Sequence, residues 1–377
     1  MYIPQRQIEN LTTLIEPQKV VIVYGPRRCG KTTLIKKFLE TKTNEQYLFV
    51  TAEDLTAQEF LTSQRVEKLR QFVGNNKIIA IDEAQRIPNI GINLKLMIDH
   101  IPEIKIIASG SSSFDLAKQV GEPLTGRKYT LVQFPISQME LAKLETTTQT
   151  ADHLEERLIF GSYPEILVNN DRERKIRYLN EIVSSYLYKD ILELDNVRNS
   201  DKILKLLQLL CYQIGHEVSL TELGANLGMS KNTIERYLDL LEKTFVIFKL
   251  RSLSRNPRKE ISKSNRYYFY DIGIRNTLIN NYNPLSIRND IGMLWENYVI
   301  MERLKKQEYT HIYANNFYWR TYSQKEIDFI EEREGNLFGY EIKWQQKNLR
   351  ILKLWQELYP RAKYQTITKE NYLDFIT

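Results

Sequence analysis

Cysteine is scarce in this sequence: two in 377 residues, Cys29 and Cys211. Two thiols so placed make neither a disulfide framework nor a zinc site, and they point to a reducing, cytoplasmic setting. The four histidines, His100, His153, His216 and His311, show no ligand spacing, so none is assigned to a metal. Long apolar runs are missing too. Nothing approaches the roughly 18 residues of a membrane span, and the start MYIPQRQIEN carries no apolar signal core. No membrane partner is therefore expected. A strong excess of one charge is also absent: 53 Lys+Arg against 47 Asp+Glu gives +6, which does not by itself argue for nucleic acid. There is no internal repeat and no low-complexity stretch. What remains is a globular composition, 42% hydrophobic and 27% charged, in a chain long enough for two or three domains at roughly 150 residues each.

What is present is organised around Val20 to Thr33, VVIVYGPRRCGKTT. The β-branched run Val20 to Val23 predicts a buried strand, LIKKFLE behind the motif predicts a helix, and Gly25-x-x-x-x-Gly30-Lys31-Thr32 lies between them. Strand, phosphate loop, helix is the arrangement in which successive backbone N–H groups and a helix N-terminus converge on a phosphate. The predicted nucleotide contacts are Gly25, Pro26, Arg27, Arg28, Cys29, Gly30, Lys31, Thr32 and Thr33, with ATP and Mg²⁺ as cofactors. Lys31 reaches the β- and γ-phosphates and Thr32 holds the metal. Arg27 and Arg28 are read either as anion contacts or as solvated loop cations.

Further on, Lys77-IIAIDEAQRIPN predicts a strand, Ile78 to Ile81, ending in Asp82-Glu83. Carboxylates at the carboxyl end of such a strand fall beside the phosphate loop. Asp82 is expected to hold Mg²⁺ through water and Glu83 to act as general base. Residues 2 to 19 carry Ile8, Leu11, Leu14 and Ile15 at helical spacing, Gln46-YLFVTA reads as a strand, and Ala57 to Val73 as one helix. The strand Lys105-IIASGSSS ends in hydroxyls, of which Ser109, with Ser111 close behind, is placed on the γ-phosphate or attacking water; a helix-capping turn is the competing reading. Leu124-Thr-Gly-Arg127 precedes the strand Tyr129-TLVQF and offers Arg127 as a transition-state cation, against a surface ion pair.

GPRRCGKTT, IDEAQRIPN, ASGSSS and LTGRKYTLVQFPISQMEL together resemble a prokaryotic family of AAA-type P-loop ATPases with a C-terminal domain of unknown function. Gly161-SYPE, Tyr268-FYDIGIRN, Leu294-WENYV and Glu341-IK extend the resemblance over nearly the whole chain. It implies that the helical pattern from Ser137 to about Leu210 is a lid packed on the nucleotide domain.

Beyond the lid, Leu220, Leu223 and Leu227 mark a short helix, Gly228-Met-Ser a turn capped by Ser230, and Thr233 to Glu242 a second helix. Val246-IFKL and Tyr267-YFY read as wing strands around the basic loop Arg251-SLSRNPRKEISKSNR. This winged helix either enters a major groove with Lys231, Asn232, Thr233 and Arg236, or packs on a protein partner. In the last third, Glu296 on the helix Met293-LWENYVIMERL, Asp328 in Glu326-IDFIE, and Glu341 with Lys343 at period-two spacing resemble the metal site of restriction-endonuclease-like PD-(D/E)xK folds. The aromatic run Phe317-YWR is read as core or as a base-stacking surface. The expected architecture is α/β throughout: P-loop ATPase core 1–136, helical lid 137–210, winged helix 211–275 and nuclease-like α/β domain 276–377. Oligomeric state and the origin of any arginine finger are left open.

Overall fold

A computed structural model describes residues 2–110, 120–121, 123–185, 200–254, 264–321, 324–345 and 353–377. The chain divides into two compact units: residues 2–135 with 243–245, and residues 136–242 with 246–377. No helix among the described residues is long and apolar enough to cross a membrane.

The first unit is a five-stranded parallel sheet. Its strands are β1 (Val20–Tyr24), β2 (Tyr47–Thr51), β3 (Ile78–Asp82), β4 (Lys105–Gly110) and β5 (Lys128–Val132), in the order β2-β3-β4-β1-β5. Every residue of β1 and β3 is buried, as their unbroken apolar runs require of strands with a neighbour on each side and helices over the faces. Leu11 of α1 (Gln7–Leu14) and Leu34, Ile35, Phe38 and Leu39 of α2 (Lys31–Glu40) pack with Val21, Val23 and Ile107 in one apolar cluster. The helix expected over Ala57 to Val73 is two, α3 (Leu55–Leu61) and α4 (Val66–Val73). Between them Gln64 adopts a left-handed φ of 51° and gives its N–H to Asn93 Oδ1 at 2.9 Å, which stops helix propagation.

The second unit opens with short capped helices. Ser137 and Glu140 form a capping box at Gln138–Leu141, and Thr146 and Gln149 form another at Thr147–Phe160. Helices Leu220–Leu227 and Lys231–Lys243 stand where a helix-turn-helix was expected. The strands are β6 (Glu217–Val218), β7 (Ile247–Ser252), β8 (Asn265–Phe269), β9 (Asn315–Arg320), β10 (Glu326–Arg333), β11 (Asn336–Ile342) and β12 (Lys363–Ile367). They form one seven-stranded mixed sheet, β12-β11-β10-β9-β7-β8-β6, in which β7 pairs with β8 antiparallel and with β9 parallel. The expected boundary at 275/276 therefore does not separate two sheets, because the wing strands and the C-terminal strands share a ladder. Helix Ile291–Tyr309 is held to this sheet by Asn297, which accepts from Phe269 N and donates to Phe269 O, both at 2.8 Å. Asp271, buried, accepts from Ser162 N at 2.8 Å and Ile274 N at 3.3 Å, tying the Gly161-SYPE stretch to the start of helix Ile272–Leu278. Phe317, Tyr318 and Trp319 are buried in β9, so the aromatic run is core and offers no stacking face.

Candidate active site

The loop between β1 and α2 bends where glycine permits it. Gly25 and Gly30 take φ of 154° and 102°, and a Cβ on Gly25 would lie 2.0 Å from the Gln133 carbonyl oxygen. No side chain caps α2, whose first turn begins at Lys31. Lys31, buried, folds its ammonium back on the loop and donates to Gly25 O and Pro26 O, each at 2.8 Å. Pro26 and Cys29 are buried, Arg27 and Gly30 half-buried, and Arg28 and Thr33 exposed. The Cys29 thiol donates to Gln133 O at 3.2 Å.

Parallel strands deliver the other groups to the same sheet edge. β4 lies between β1 and β3, and the register sets Val23 opposite Ser109. Thr32 Oγ1 donates to Asp82 Oδ2 at 2.6 Å, and Ser109 Oγ donates to Asp82 Oδ1. Ser109 also accepts from Glu83 N at 3.3 Å. The hydroxyl of the loop, the strand-end carboxylate and the serine of the neighbouring strand thus form one continuous contact. Glu83 adopts a left-handed φ of 55°, and its Oε2 accepts from Gln85 Nε2 at 2.6 Å. Such strain at a non-glycine residue is held by surrounding structure and concentrates at functional sites. Gln85 was missed by reasoning that ranked charged and hydroxyl groups; it lies inside the quoted IDEAQRIPN stretch.

Two expectations change. Arg127 lies beside Val20 at the amino end of β1, where its carbonyl accepts from Val20 N, and the loop leaves the opposite end after Tyr24, about 13 Å away at the strand rise. Its guanidinium pairs with Asp99, so it is a surface ion pair and no part of this chain's own loop site. Ser111, and Arg255, Arg258 and Lys259 of the wing loop, lie outside the described residues.

The second constellation does assemble, in a different form. A register shift between Ile327 and Ile330 places Asp328 at a bulge of β10. Asp328 Oδ2 accepts from Ile342 N at 2.8 Å and Lys343 Nζ at 3.1 Å, and Lys343 Nζ lies 2.8 Å from Glu341 Oε1. Glu296 Oε1 accepts from Tyr268 OH at 2.7 Å, with Arg266 3.9 Å away. Burial, then the Asp328 charge, pushes Glu296 up to about 8 and Glu341 up to about 7. Burial works against the Lys343 ammonium, but Asp328 and Glu341 hold it above its ordinary range. Among the described residues no group of three or more His, Cys, Asp or Glu could hold a metal ion. The carboxylates expected to hold a divalent ion, Glu296, Asp328 and Glu341, with Lys343 beside them to steady a water or phosphate, do not fit one as placed: the lysine ammonium bridges Asp328 and Glu341.

A phosphate loop between a central parallel strand and its helix, with a strand-end acidic pair beside it, defines the first unit as a P-loop NTPase fold. In agreement, residues 17–142 match the family model of an AAA domain. Residues 151–285 and 291–375 match two domains of unknown function, DUF8612 and DUF4143. The chain is 26% identical over 329 residues to an uncharacterised protein of Mycobacterium tuberculosis, covering 86% of this chain and 70% of that one. It is 26% identical over 347 residues to an uncharacterised protein of Methanocaldococcus jannaschii, covering 86% and 76%. A Haemophilus influenzae protein, also uncharacterised, is 20% identical over 370 residues, covering 90% and 86%. Among solved structures, AMPPCP-bound DnaA from Aquifex aeolicus aligns over 63% of this chain and 84% of its own, at 19% identity and a TM-score of 0.30.

Proposed function

We propose that the chain is a Mg²⁺-dependent ATPase whose nucleotide site is the loop Gly25 to Thr33 with Asp82, Glu83 and Ser109. The observation that carries this is the meeting of Thr32 Oγ1 with Asp82 Oδ2 at 2.6 Å: two oxygens from separate elements converge where a phosphate-bound metal needs them. Thr32 and, through water, Asp82 would hold Mg²⁺, which supplies charge neutralisation at the transferring phosphoryl group. Lys31 exchanges its two carbonyl partners for phosphate oxygens. Glu83 takes a proton from the attacking water once Gln85 releases its carboxylate. Ser109 fixes Asp82 and the Glu83 backbone and acts as a positioning residue.

For the second unit, the first reading is that turnover is coupled to DNA. It is supported by the exposure of Lys231, Asn232 and Arg236 on the outer face of helix Lys231–Lys243, where cations and amides meet phosphates and base edges. The second is a nucleotide-dependent switch or scaffold that recognises a protein, with the nuclease-like site inactive. The Lys343 bridge and the absorption of β7 and β8 into the larger sheet favour it. Steady-state ATP hydrolysis in Mg²⁺, with and without duplex and single-stranded DNA, decides between them. Salt-sensitive stimulation by DNA supports the first; hydrolysis indifferent to DNA supports the second; no hydrolysis refutes the ATPase reading.

A further inference from the structure

Residues 2–7 carry no phosphate-binding motif, yet they lie against the end of the phosphate loop. Ile3, Gln5 and Gln7 are buried while Tyr2 and Pro4 are exposed, so this lead-in to α1 turns alternate side chains inward. It is held at three points. The Lys37 ammonium of α2 stands 5.4 Å from the Tyr2 ring centroid, Gln5 Nε2 donates to Gly30 O at 3.3 Å, and Gln7 Nε2 donates to Val132 O at 2.8 Å. Val132 ends β5 and is level with Tyr24, where the loop departs from β1.

The loop turns on two glycines, and glycine restrains its own backbone least. At Gly25 the restraint comes from the segment after β5. Gln133 N donates to Tyr24 O at 2.7 Å, and the Gln133 carbonyl stands where a Gly25 Cβ would be and accepts the Cys29 thiol. Gly30 receives its lateral hold from outside the motif. It is the N-cap of α2 in a left-handed conformation, φ 102° and ψ 18°, with no side-chain cap. Its carbonyl accepts from Leu34 N at 2.9 Å as the first bond of the helix, and its second lone pair takes the Gln5 amide. A trans peptide is planar and sets its C=O and N–H in opposite directions. Two donors on Gly30 O therefore aim the Lys31 N–H the other way, out of the helix N-terminus, where an anion binds.

We infer that residues 2–7 form a strap that presets the phosphate loop, with Gln5 the positioning residue that holds the Gly30–Lys31 peptide in its anion-binding orientation. This rests on the nucleotide reading above and adds to that site a group from outside its motif. Gln5 acts through Gly30 and meets no reacting atom. Through Gln7 the strap is tied to the same strand end that restrains Gly25, so both glycines are referred to one fixed point. A loop ordered before its ligand arrives spares binding that entropy cost, so the contribution falls on affinity. Phosphate contacts made equally in the ground and transition states set KM and leave kcat alone.

The test is titration calorimetry and steady-state hydrolysis by the full chain in Mg²⁺, with two variants. Gln5→Met keeps the length of the side chain and removes its N–H donor; Gln5→Glu sets an acceptor against Gly30 O. ATP and ADP both carry the β-phosphate that loop N–H groups cradle. In Gln5→Met their Kd values are expected to rise by the same factor, about three- to tenfold, the range of one hydrogen bond, and in Gln5→Glu at least as far. KM for ATP rises with them, and kcat stays within about twofold. Because Gly30 O keeps Leu34 N, the melting temperature of ligand-free Gln5→Met should stay within about 3 °C of the unaltered chain. Kd values within about twofold of the unaltered chain overturn the inference. So does weakening of ATP alone, a fall in kcat without a rise in KM, or weakening in Gln5→Met that comes with a larger fall in melting temperature. Failure of the unaltered chain to bind either nucleotide overturns the nucleotide reading instead.

Discussion

Glu296→Gln should stabilise the second unit, and by an amount that depends on pH. The Glu296 side chain is 16% exposed, accepts from Tyr268 OH, and shares its surroundings with the Asp328 carboxylate. Burial and that neighbouring charge raise its pKa from the ordinary 4.5 to about 8. A carboxyl whose folded pKa lies above its unfolded value contributes stability that is complete below about 4.5 and is lost as pH rises through 8. Within that window the folded state binds the extra proton, and each pH unit removes about 1.4 kcal/mol. At pH 7 the cost of carrying this group is about 3 kcal/mol. Glutamine is neutral throughout and keeps a carbonyl oxygen for Tyr268. The variant is therefore expected to match the wild type near pH 4.5 and to exceed it by about 3 kcal/mol at pH 7. Urea unfolding followed by tryptophan emission measures this in the right place, because Trp295, Trp319, Trp344 and Trp355 are the only tryptophans and all lie in the second unit. A difference between variant and wild type that is constant from pH 4.5 to 8, or a variant less stable at pH 7, would refute the reasoning.

The remaining expectations concern both units. Lys31→Ala removes the cation that faces the phosphates and should abolish ATP binding in a titration. Glu83→Gln should bind ATP normally and hydrolyse it at least about a hundredfold more slowly, the scale of general-base catalysis; normal turnover would remove the assignment. Ser109→Ala strands Asp82 Oδ1 and Glu83 N in a buried site, and should cost about 1 to 3 kcal/mol in the unfolding of the first unit and lower kcat more than it raises KM. Asp271→Ala leaves the Ser162 and Ile274 N–H groups without their acceptor and should cost about 2 kcal/mol or more in the tryptophan-monitored transition, a loss that unchanged urea midpoints would disprove.

The nucleotide half was legible because its chemistry is local. Gly25, Gly30, Lys31 and Thr32 sit within one turn of chain, and the unbroken apolar runs of β1 and β3 announce strands buried on both faces, whose carboxyl ends must share an edge. Arg127 misled because its rank in the sequence says nothing about which end of β5 it occupies. It precedes the strand, and a residue that precedes a parallel strand lies at the edge away from the loop. The long helix expected over Ala57 to Val73 failed for a similar reason: its break depends on Asn93, nearly thirty residues further on, accepting from Gln64 N.

The second constellation shows where spacing runs out as an argument. Period two puts Glu341 and Lys343 on one face, and that is equally true of a lysine steadying a water beside a metal and of a lysine paired with its own carboxylates. The distinction lies in what stands opposite. The bulge in β10 turns Asp328 toward the end of β11, where the Ile342 N–H and the Lys343 ammonium both reach its Oδ2. One oxygen of that carboxylate is thereby committed to two donors before any cation arrives. Glu296, on a separate helix, is committed to Tyr268 and kept largely protonated at neutral pH, so it brings less negative charge than its formula suggests. A divalent ion would have to displace the ammonium and deprotonate the glutamate together. The same four residues that spell a cleavage motif in the sequence thus form, in the fold, a charge-compensated cluster where the bulge of β10 meets the end of β11. That arrangement favours the reading proposed above in which the nuclease-like site does not cleave.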